Sequence, residues 1–365
     1  MHPFFFRFRK FYNEHVLYMV KDKQRKKLPL ILFEILLFMI HKKDTPQNYI
    51  KFGGYKKGSD TKNLTTYLTG TRFDRFRSKH LNDKQYLYQL ENKWEFNKLL
   101  RTSGLKTTEV ICKIEKGKII LPSDDKETTI SALISRIDQD FVIKPISDSA
   151  HGTGVEIVCY SQTTDLNTLI SKYIDNSYTT PLLLEQKINQ HKDISEIYPI
   201  AVNTVRIDTF LRLDGSVDIL TAILRTGKNE RKVDNWAGHL GGVAVKVDLE
   251  TGCLDKVGFD YFLNRYNKHP NTNFIFDSYQ IPFFNEVKEI VKRAARCFPK
   301  IRSIGWDVAI SEEGPVVIEG NSDYSLQMPQ TIIGPYLLNK VFTGAMKNEL
   351  LSIKKGEKYE KHFVG

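Results

Sequence analysis

Residues 305–321 have the sequence GWDVAISEEGPVVIEGN. Apolar, valine- and isoleucine-containing runs flank the tripeptide Glu-Glu-Gly at 312–314, a pattern that predicts two β-strands joined by a three-residue hairpin loop. Gly314 supplies the left-handed backbone position that such a loop requires. The predicted loop pairs Ser311 with Pro315, which fixes the register of the two strands.

The predicted register brings two carboxylates together. Side chains alternate between the faces of a strand, so Asp307 faces Glu319, and Asn321 lies two residues further along the same face. Facing carboxylates repel unless a cation lies between them, and Mg²⁺ commonly binds one or two carboxylates together with substrate phosphates. The alternative is a half-exposed hairpin with unpaired acids. It is disfavoured because the flanking positions are apolar, namely Val308, Ile310, Val316 and Ile318.

A second polar segment follows a predicted buried strand. Residues 141–155, FVIKPISDSAHGTGV, place Lys144 near the end of that strand and a small, polar, glycine-containing loop after it. Small residues allow backbone N–H groups to approach phosphate oxygens, and the lysine adds a positive charge. The GxxxxGK[ST] order of a Walker loop is absent. A hairpin with a surface lysine is the alternative.

Further polar groups occupy or follow the central predicted strands. Arg206 lies within NTVRIDTF, Arg225 ends AILR, and Asn235 precedes GHLGG. Arginines at strand positions are candidates for clamping a phosphate or a carboxylate. Cross-strand charge pairs at the surface are the alternative for each of them.

Strand patterns dominate the chain beyond residue 140, with few helices between them. The predicted strands cover residues 141–145, 154–158, 182–185, 203–213, 217–225, 242–248, 305–310 and 315–321. One amphipathic helix is predicted around residues 287–295, and another begins at Asn92 and ends at Gly104. A doubly wound parallel sheet would need a helix between most strands, so the sequence favours the α+β class.

Positive charge is concentrated at the N-terminal end. The 365 residues are 41% hydrophobic, which is ordinary for a globular protein, but the net charge is +11. Residues 1–90 carry 19 lysines and arginines against 7 acids, a net charge of +12, whereas the rest of the chain carries 35 against 36. Such a segment can face an anionic membrane or an acidic glycan, and nucleic acid is not the expected partner. A solvated basic face without a partner is the alternative.

The cysteines and one apolar run bear on localisation. The four cysteines are widely separated and form no CxxC pair, which argues against zinc or a disulfide framework and favours a reducing, cytoplasmic compartment.

The run LPLILFEILLFMI at 28–40 is too short to span a membrane, which takes about 20 apolar residues. It lies too far into the chain for a signal peptide. We predict a buried helix with Pro29 in its first turn. A helix lying on a membrane is the alternative, which would make the protein peripherally membrane-associated.

The order and spacing of these motifs resemble the ATP-grasp superfamily over residues 90–330. NTVRIDTF, DNWAGHLGGVAVKVDLETG and IGWDVAISEEGPVVIEGN look like its sugar-transfer-associated branch, which is related to α-L-glutamate ligases. The resemblance implies an ATP-grasp domain at 91–335, with two α/β lobes that grip ATP and meet near 185–190. It leaves residues 1–90 as a basic, mainly helical region and 336–365 as a C-terminal helix with a basic tail.

The resemblance also implies roles for particular residues. Metal ligands for one or two Mg²⁺ ions are implied at Asp307, Glu319 and Asn321. Catalytic roles are implied for Lys144, Arg206 and Arg225, and one of the arginines must stabilise the oxyanion because Gly305 stands where D-Ala–D-Ala ligases have an arginine. ATP contacts are implied at Lys93, Lys144, Ser147, Ser149, His151, Gly152, Thr153, Gly154, Glu185, Lys187, Ile188, Asp193 and Asn235.

The implied activity is ATP- and Mg²⁺-dependent ligation of a carboxylate to an amine through an acyl phosphate, with ADP as product. The branch points to polysaccharide biosynthesis, in which an amino acid is linked to a small-molecule or glycan carboxylate. An ATP-grasp kinase that phosphorylates a hydroxyl is the first alternative, and a non-catalytic basic binding protein is the second. ATP consumption separates the enzymes from the binding protein, and product analysis separates ligase from kinase.

Overall fold

Two antiparallel β-sheets form the body of the protein. The computed structural model describes residues 12–42, 45–59, 64–147, 154–163, 165–237 and 241–354. The first sheet is built from β1 Val110–Glu115, β2 Lys118–Ile120, β3 Glu127–Thr128, β4 Phe141–Pro145, β5 Glu156–Val158 and β6 Leu182–Gln186. Its strand order is β3-β2-β1-β6-β4-β5.

The second sheet follows the first along the chain. Its strands are β7 Thr204–Leu211, β8 Val217–Thr226, β9 Val243–Val247, β10 Leu254–Phe259, β11 Arg265–Tyr266, β12 Ser303–Ser311 and β13 Gly314–Asn321. They lie in the order β11-β10-β9-β8-β7-β12-β13. Each predicted strand is present, with ends that differ by at most two residues, and the predicted α+β class is confirmed. Strands β1, β2, β3, β10 and β11 were not predicted.

Helices cover the sheets and form most of the N-terminal region. They are α1 Leu17–Lys21, α2 Leu28–Lys42, α3 Pro46–Lys51, α4 Gly70–Phe76, α5 Tyr88–Glu91, α6 Lys93–Thr102, α7 Ile130–Ile134, α8 Leu166–Asn176, α9 Lys192–Ile197, α10 Phe284–Cys297, α11 Gln327–Ile332 and α12 Lys340–Lys354. The predicted helical character of the N-terminal region is confirmed for those of its residues that the structure describes. The domain limits at residues 90 and 335 and the lobe boundary at 185–190 stay predictions.

The two helices predicted from the sequence patterns beyond residue 90 are present, with the expected start, end and apolar face. The side chain of Asn92 accepts hydrogen bonds from the backbone N–H groups of Trp94 and Glu95, which begins α6 as predicted. Gly104 follows the helix with a positive φ of 66°. Helix α10 buries the predicted apolar face against the second sheet, and Val287 and Val291 are fully buried there.

The predicted loop of the β12–β13 hairpin is wrong by one residue. Ser311 pairs with Gly314 instead of Pro315, so residues 312–313 form a two-residue loop. Gly314 has the positive φ that was expected, at 108°. The strands therefore leave the turn in a register different from the predicted one.

A β-bulge in β13 restores the predicted pairing further along the hairpin. Val308 pairs with Val317 but Asp307 pairs with Glu319, so Ile318 is the extra residue between them. A one-residue slip would otherwise turn the carboxylates to opposite faces. The facing pair of Asp307 and Glu319 is confirmed, and the bulge is the reason.

The prediction that the apolar run 28–40 forms a buried helix is only partly correct. The run forms α2, with Pro29 in its first turn, but only Ile31, Glu34 and Phe38 of this helix are buried. Leu32 is 66% exposed and Ile40 is 60% exposed. The reason is that α2 packs on the small core of the N-terminal region along one face only. No helix among the described residues is long and apolar enough to cross a membrane.

Glu349→Ala is expected to lower the free energy of unfolding by about 3–5 kcal/mol, because it leaves the Arg302 guanidinium buried without its partner. Arg302 donates to the two oxygens of Glu349 at 2.7 and 2.6 Å, which ties α12 to the start of β12. Urea denaturation at neutral pH measures the loss. Glu127→Ala, which breaks an exposed pair with Lys118, is the control and should change stability little. Equal losses in the two variants would contradict the prediction.

Candidate active site

A cavity of about 940 Å³ lies between the two sheets. Strands β4, β5 and β6 contribute one wall, and β7, β8, β12 and β13 contribute the other. Most of the predicted site residues with described positions line it: Lys93, Lys144, Glu185, Lys187, Ile188, Arg206, Arg225, Asn235, Asp307, Glu319 and Asn321. Residues that lie more than two hundred positions apart in the sequence thus meet in one space.

The remaining predicted site residues do not line this cavity or are not described. Ser147 and Gly154 are exposed at the two described ends of the glycine-containing loop. Asp193 lies on α9 beside His191, and the cavity is lined by Ser195 of the same helix instead. This placement does not support the ATP contact implied for Asp193. Four predicted contacts lie outside the described residues, namely Ser149, His151, Gly152 and Thr153.

Asp307 lies at the centre of the wall formed by β7, β8, β12 and β13, which we call the charged wall. Its neighbours follow from strand pairing, since Arg206 on β7 lies directly opposite it. Arg206 Nε and Nη2 donate to the two oxygens of Asp307 at 2.5 and 2.9 Å. Arg225 Nη2, from the adjacent strand β8, lies 3.1 Å from Asp307 Oδ1. Two guanidinium groups therefore hold one buried carboxylate.

The two facing carboxylates differ in their tendency to bind a proton. Burial alone would raise the pKa of Asp307, but the charges of Arg206 and Arg225 hold it well below its usual range. Burial raises the pKa of Glu319, and the adjacent negative charge of Asp307 raises it further. Asn321 Nδ2 lies 3.2 Å from Glu319 Oε1. A cation bound nearby would therefore stabilise the negative charge of Glu319.

The donor set fits a hard divalent cation. Asp307, Glu319 and Asn321 offer oxygen atoms only, as Mg²⁺ prefers, and the repulsion between the carboxylates favours a positive charge between them. Asn321 directs its amide nitrogen towards both carboxylates, so it must rotate that amide by a half-turn to present its oxygen. No group of three or more His, Cys, Asp and Glu side chains that could hold a metal occurs in the described part of the chain. Such a site would therefore be completed by other oxygen ligands.

The opposite wall carries a second buried ion pair. Lys144 Nζ lies 2.6 Å from Glu185 Oε2, and Thr108 donates to Glu185 Oε1 at 2.7 Å. Both charged side chains are about nine-tenths buried or more. Glu185 therefore anchors Lys144 at the end of β4, in addition to the nucleotide contact implied for it. At the other end of β4, Lys187 pairs with Asp140 at 2.9 Å.

Asp234 is a residue of the charged wall that the sequence analysis missed. Arg225 Nη2 lies 3.3 Å from its Oδ2, and the hydroxyl of Thr204 donates to the same oxygen. Burial raises the pKa of this carboxyl, although the charge of Arg225 opposes the shift. The available signal was its position directly before Asn235, within the motif DNWAG.

Gly305 is closely packed, which explains why no arginine stands there. A Cβ atom at this position would lie 2.9 Å from Tyr324 and 3.0 Å from Asp208 Oδ1. A side chain could not reach the cavity from this strand position without moving both neighbours. Arg206 and Arg225 are the arginines that line this wall.

The fold and the cavity define a protein of the ATP-grasp class, as the motif order implied. The family model described as sugar-transfer associated ATP-grasp matches residues 72–343, and the chain belongs to this family. The predicted family and fold are therefore confirmed. No curated protein sequence matches the chain.

Several solved structures are similar at low sequence identity. D-alanine–D-alanine ligase from Bacillus anthracis is 14% identical, with 76% of this chain and 72% of that chain covered and a TM-score of 0.42. L-amino acid ligase from Bacillus licheniformis is 13% identical, with 72% and 48% covered and a TM-score of 0.40. An ADP complex of N5-carboxyaminoimidazole ribonucleotide synthetase is 8% identical, with 67% and 47% covered and a TM-score of 0.41. The chain spans about half the length of the last two proteins.

Proposed function

We propose that this protein is an ATP- and Mg²⁺-dependent ligase that joins a carboxylate to an amine and releases ADP and phosphate. The observation that carries the proposal is the cavity between the sheets, which is lined by Lys93 and Lys144 and by the Arg206–Asp307–Glu319 cluster. Phosphoryl transfer requires mainly positioning and charge neutralisation, and this cavity offers both.

On the first wall, the proposed role of Lys93 and Lys144 is to bind the phosphates of ATP. The ion pair with Glu185 fixes Lys144 Nζ at the end of β4 before any ligand arrives. The strand end at residues 185–188 provides the adenine contacts, next to the apolar side chains of Val142 and Ile157 that line the same space. A nucleotide would thus lie with its base on the first sheet and its triphosphate towards the second.

On the second wall, Asp307, Glu319 and Asn321 are the proposed Mg²⁺ ligands. Bound Mg²⁺ would offset the charge of the triphosphate. Arg206 and Arg225 each have five N–H donors and use only some of them on Asp307 and its neighbours. Their remaining donors can bind the substrate carboxylate and the oxyanion that forms on it.

The proposed reaction has two steps. An oxygen of the substrate carboxylate attacks the γ-phosphorus, the bond to the β–γ bridging oxygen breaks, and ADP and an acyl phosphate form. The amine then attacks the acyl carbon, loses a proton and expels phosphate. Exclusion of water protects the acyl phosphate between the steps, which is the role proposed for the loop at residues 147–154.

The proposed substrates are a glycan or small-molecule carboxylate and an amino acid as the amine. This part of the proposal rests on the sugar-transfer association of the family. The proposed place of action is the cytoplasm, which the four free cysteines support because a reducing compartment preserves thiols. The same metal and phosphate residues would also serve a kinase, so products must separate the two reactions.

Lys144→Met is expected to weaken ATP binding roughly tenfold to a hundredfold, because it removes a charge-assisted contact worth about 1.5–3 kcal/mol. The variant also leaves Glu185 without its cation, so it should lower stability as well. In the double variant Lys144→Met/Glu185→Gln, stability should recover while ATP affinity stays low. Isothermal titration with ATP and thermal melting measure the two effects.

Lys118→Met is the matched control for this experiment. Lys118 lies on the same sheet but pairs with Glu127 at the surface, away from the cavity. Its ATP affinity should equal that of the wild type. If Lys144→Met also bound ATP with wild-type affinity, the phosphate role of Lys144 would be wrong.

A further inference from the structure

One face of helix α2 is apolar and exposed to solvent. Its exposed side chains belong to Leu30, Leu32, Phe33, Leu36, Met39 and Ile40, and each is between 41% and 66% exposed. We call these six residues the apolar ridge. At 100° per residue they cover about half of the helix circumference. Contiguous apolar surface of this kind marks a contact with a protein or a membrane.

The acidic residue of α2 points away from the apolar ridge. Glu34 is buried on the opposite face and accepts hydrogen bonds from Lys26 Nζ at 2.8 and 2.9 Å. The hydroxyl of Tyr49 donates to the same carboxylate at 2.5 Å. Ile31 and Phe38 pack beside it in the core of the N-terminal region. Because this acid is paired inside, the ridge carries no negative charge.

Positive charge flanks the apolar ridge at both ends. Lys21, Lys23 and Lys27 are exposed before α2 begins, and Lys42 ends the helix. An apolar face flanked by lysines is typical of helices that lie in the surface of an anionic bilayer. We propose that the apolar ridge inserts into the surface of an anionic lipid membrane and attaches the protein there peripherally.

The length of α2 requires it to lie in the membrane plane. Its 15 residues extend over about 22 Å, which is shorter than the roughly 30 Å hydrocarbon core of a bilayer. Two other occupants of the ridge fit less well. A second copy of the chain would bring two basic regions together, and an acidic glycan would neutralise the lysines but leave the apolar side chains in water.

The same N-terminal region packs against a wall of the cavity. Tyr18 donates a hydrogen bond to Asn264 at 2.9 Å, and Lys56 Nζ donates to the carbonyl of Leu263 at 3.1 Å. These partners follow Tyr261, which lines the cavity. Membrane attachment through α2 would therefore hold this wall of the cavity at a fixed position relative to the lipid surface.

Vesicle sedimentation tests the proposal with the full chain. Binding to phosphatidylcholine vesicles that contain phosphatidylserine is expected to exceed binding to pure phosphatidylcholine vesicles. The triple variant Leu32→Ser/Phe33→Ser/Leu36→Ser should bind at least roughly tenfold more weakly, because it removes apolar contacts with the bilayer. Its melting temperature should not fall, since all three side chains are exposed.

A matched control changes three exposed apolar side chains elsewhere. Leu213, Ile275 and Leu338 are 69%, 67% and 63% exposed, and their triple serine variant should bind vesicles like the wild type. Raising the salt from about 50 to 500 mM should weaken wild-type binding by screening the lysines. The serine variant of the ridge should lose most of its residual binding at the higher salt.

Tryptophan fluorescence provides an independent readout. The natural Trp94, Trp236 and Trp306 are all buried, so their emission should not respond to lipid. Phe33→Trp should shift its emission to shorter wavelength when anionic vesicles are added, and Ile275→Trp should not.

Three results would overturn the proposal. The first is vesicle binding that the ridge substitutions do not reduce. The second is a dimer that the ridge variant dissociates, in a protein that does not bind vesicles. The third is ridge-dependent binding to an acidic polysaccharide with no binding to anionic vesicles.

Discussion

Glu319→Gln is expected to lower ATP turnover roughly a thousandfold or more while leaving the protein at least as stable as the wild type. Turnover should fall because the substitution removes one negative charge from the proposed metal site. Stability should not fall, because burial raises the pKa of Glu319 and the negative charge of Asp307 raises it further, so the charged form is disfavoured in the folded protein. Glutamine keeps the size of the side chain and carries no charge that would repel Asp307. Steady-state ADP release with saturating Mg²⁺, together with thermal melting, measures both effects.

Asp307→Asn separates the metal role from the structural role of the same cluster. It should abolish turnover too, but it should also destabilise the fold by about 3–5 kcal/mol, because Arg206 and Arg225 lose their shared buried carboxylate. The variants Glu319→Gln and Asp307→Asn are therefore both expected to lose turnover, but only Asp307→Asn is expected to lose stability. This difference follows from the strand pairing of Arg206 with Asp307.

Glu313→Gln is the control for both substitutions. Glu313 belongs to the same hairpin but lies in its exposed turn, paired with Lys106 at 2.9 Å. The turnover of the Glu313→Gln variant should match that of the wild type. Wild-type turnover in Glu319→Gln, with Mg²⁺ present, would show that this carboxylate does not bind the metal.

Strands and helices with strong local patterns were predictable from the sequence. Strand β4 was predicted with its observed limits, because four of its five residues are apolar or β-branched and a polar loop follows. Helix α6 was predictable from Asn92, whose side chain satisfies the first N–H groups of the helix. These signals are local, so they do not depend on what packs against the segment.

Features that depend on distant partners were not predictable. The bulge at Ile318 has no local signal, and the facing carboxylates were predicted through a wrong loop length that the bulge happens to cancel. The prediction that α2 is buried was only partly correct, because a uniformly hydrophobic sequence does not show how many sides of a helix are covered by neighbours. Asp234 was missed because it lies in the loop after β8, where no strand pattern marks it, and its partner Arg225 lies on β8 itself. Its burial and pKa arise only once β7 and β8 have paired.

The position of the arginines supports the ligase over the kinase. With the roles proposed above, both reactions would use Lys144 and the facing carboxylates, since both neutralise a triphosphate. A carboxylate substrate needs guanidinium groups as well, and β7 and β8 supply Arg206 and Arg225 beside the same carboxylates. A hydroxyl acceptor does not need a paired arginine clamp. The products of the reaction decide between the two.

Hydroxylamine is expected to trap an acyl phosphate when the protein is incubated with ATP, Mg²⁺ and its carboxylate substrate in the absence of amine. An acyl phosphate is a mixed anhydride, so hydroxylamine converts it to a hydroxamate, whereas a phosphorylated alcohol is inert. With the amine present, ADP and free phosphate should form in equal amounts together with an amide. Glu319→Gln under the same conditions is the control and should give neither hydroxamate nor ADP.

The kinase reaction leaves a different balance of products. It yields ADP without free phosphate, because the phosphoryl group stays on the acceptor hydroxyl. Phosphate-specific detection and mass spectrometry of the acceptor therefore distinguish the reactions even before the natural amine is known. If the acceptor gains a phosphoryl group and hydroxylamine traps nothing, the kinase replaces the ligase. The roles proposed for Lys144, Asp307 and Glu319 would stand in that case, because they concern the phosphates that both reactions share.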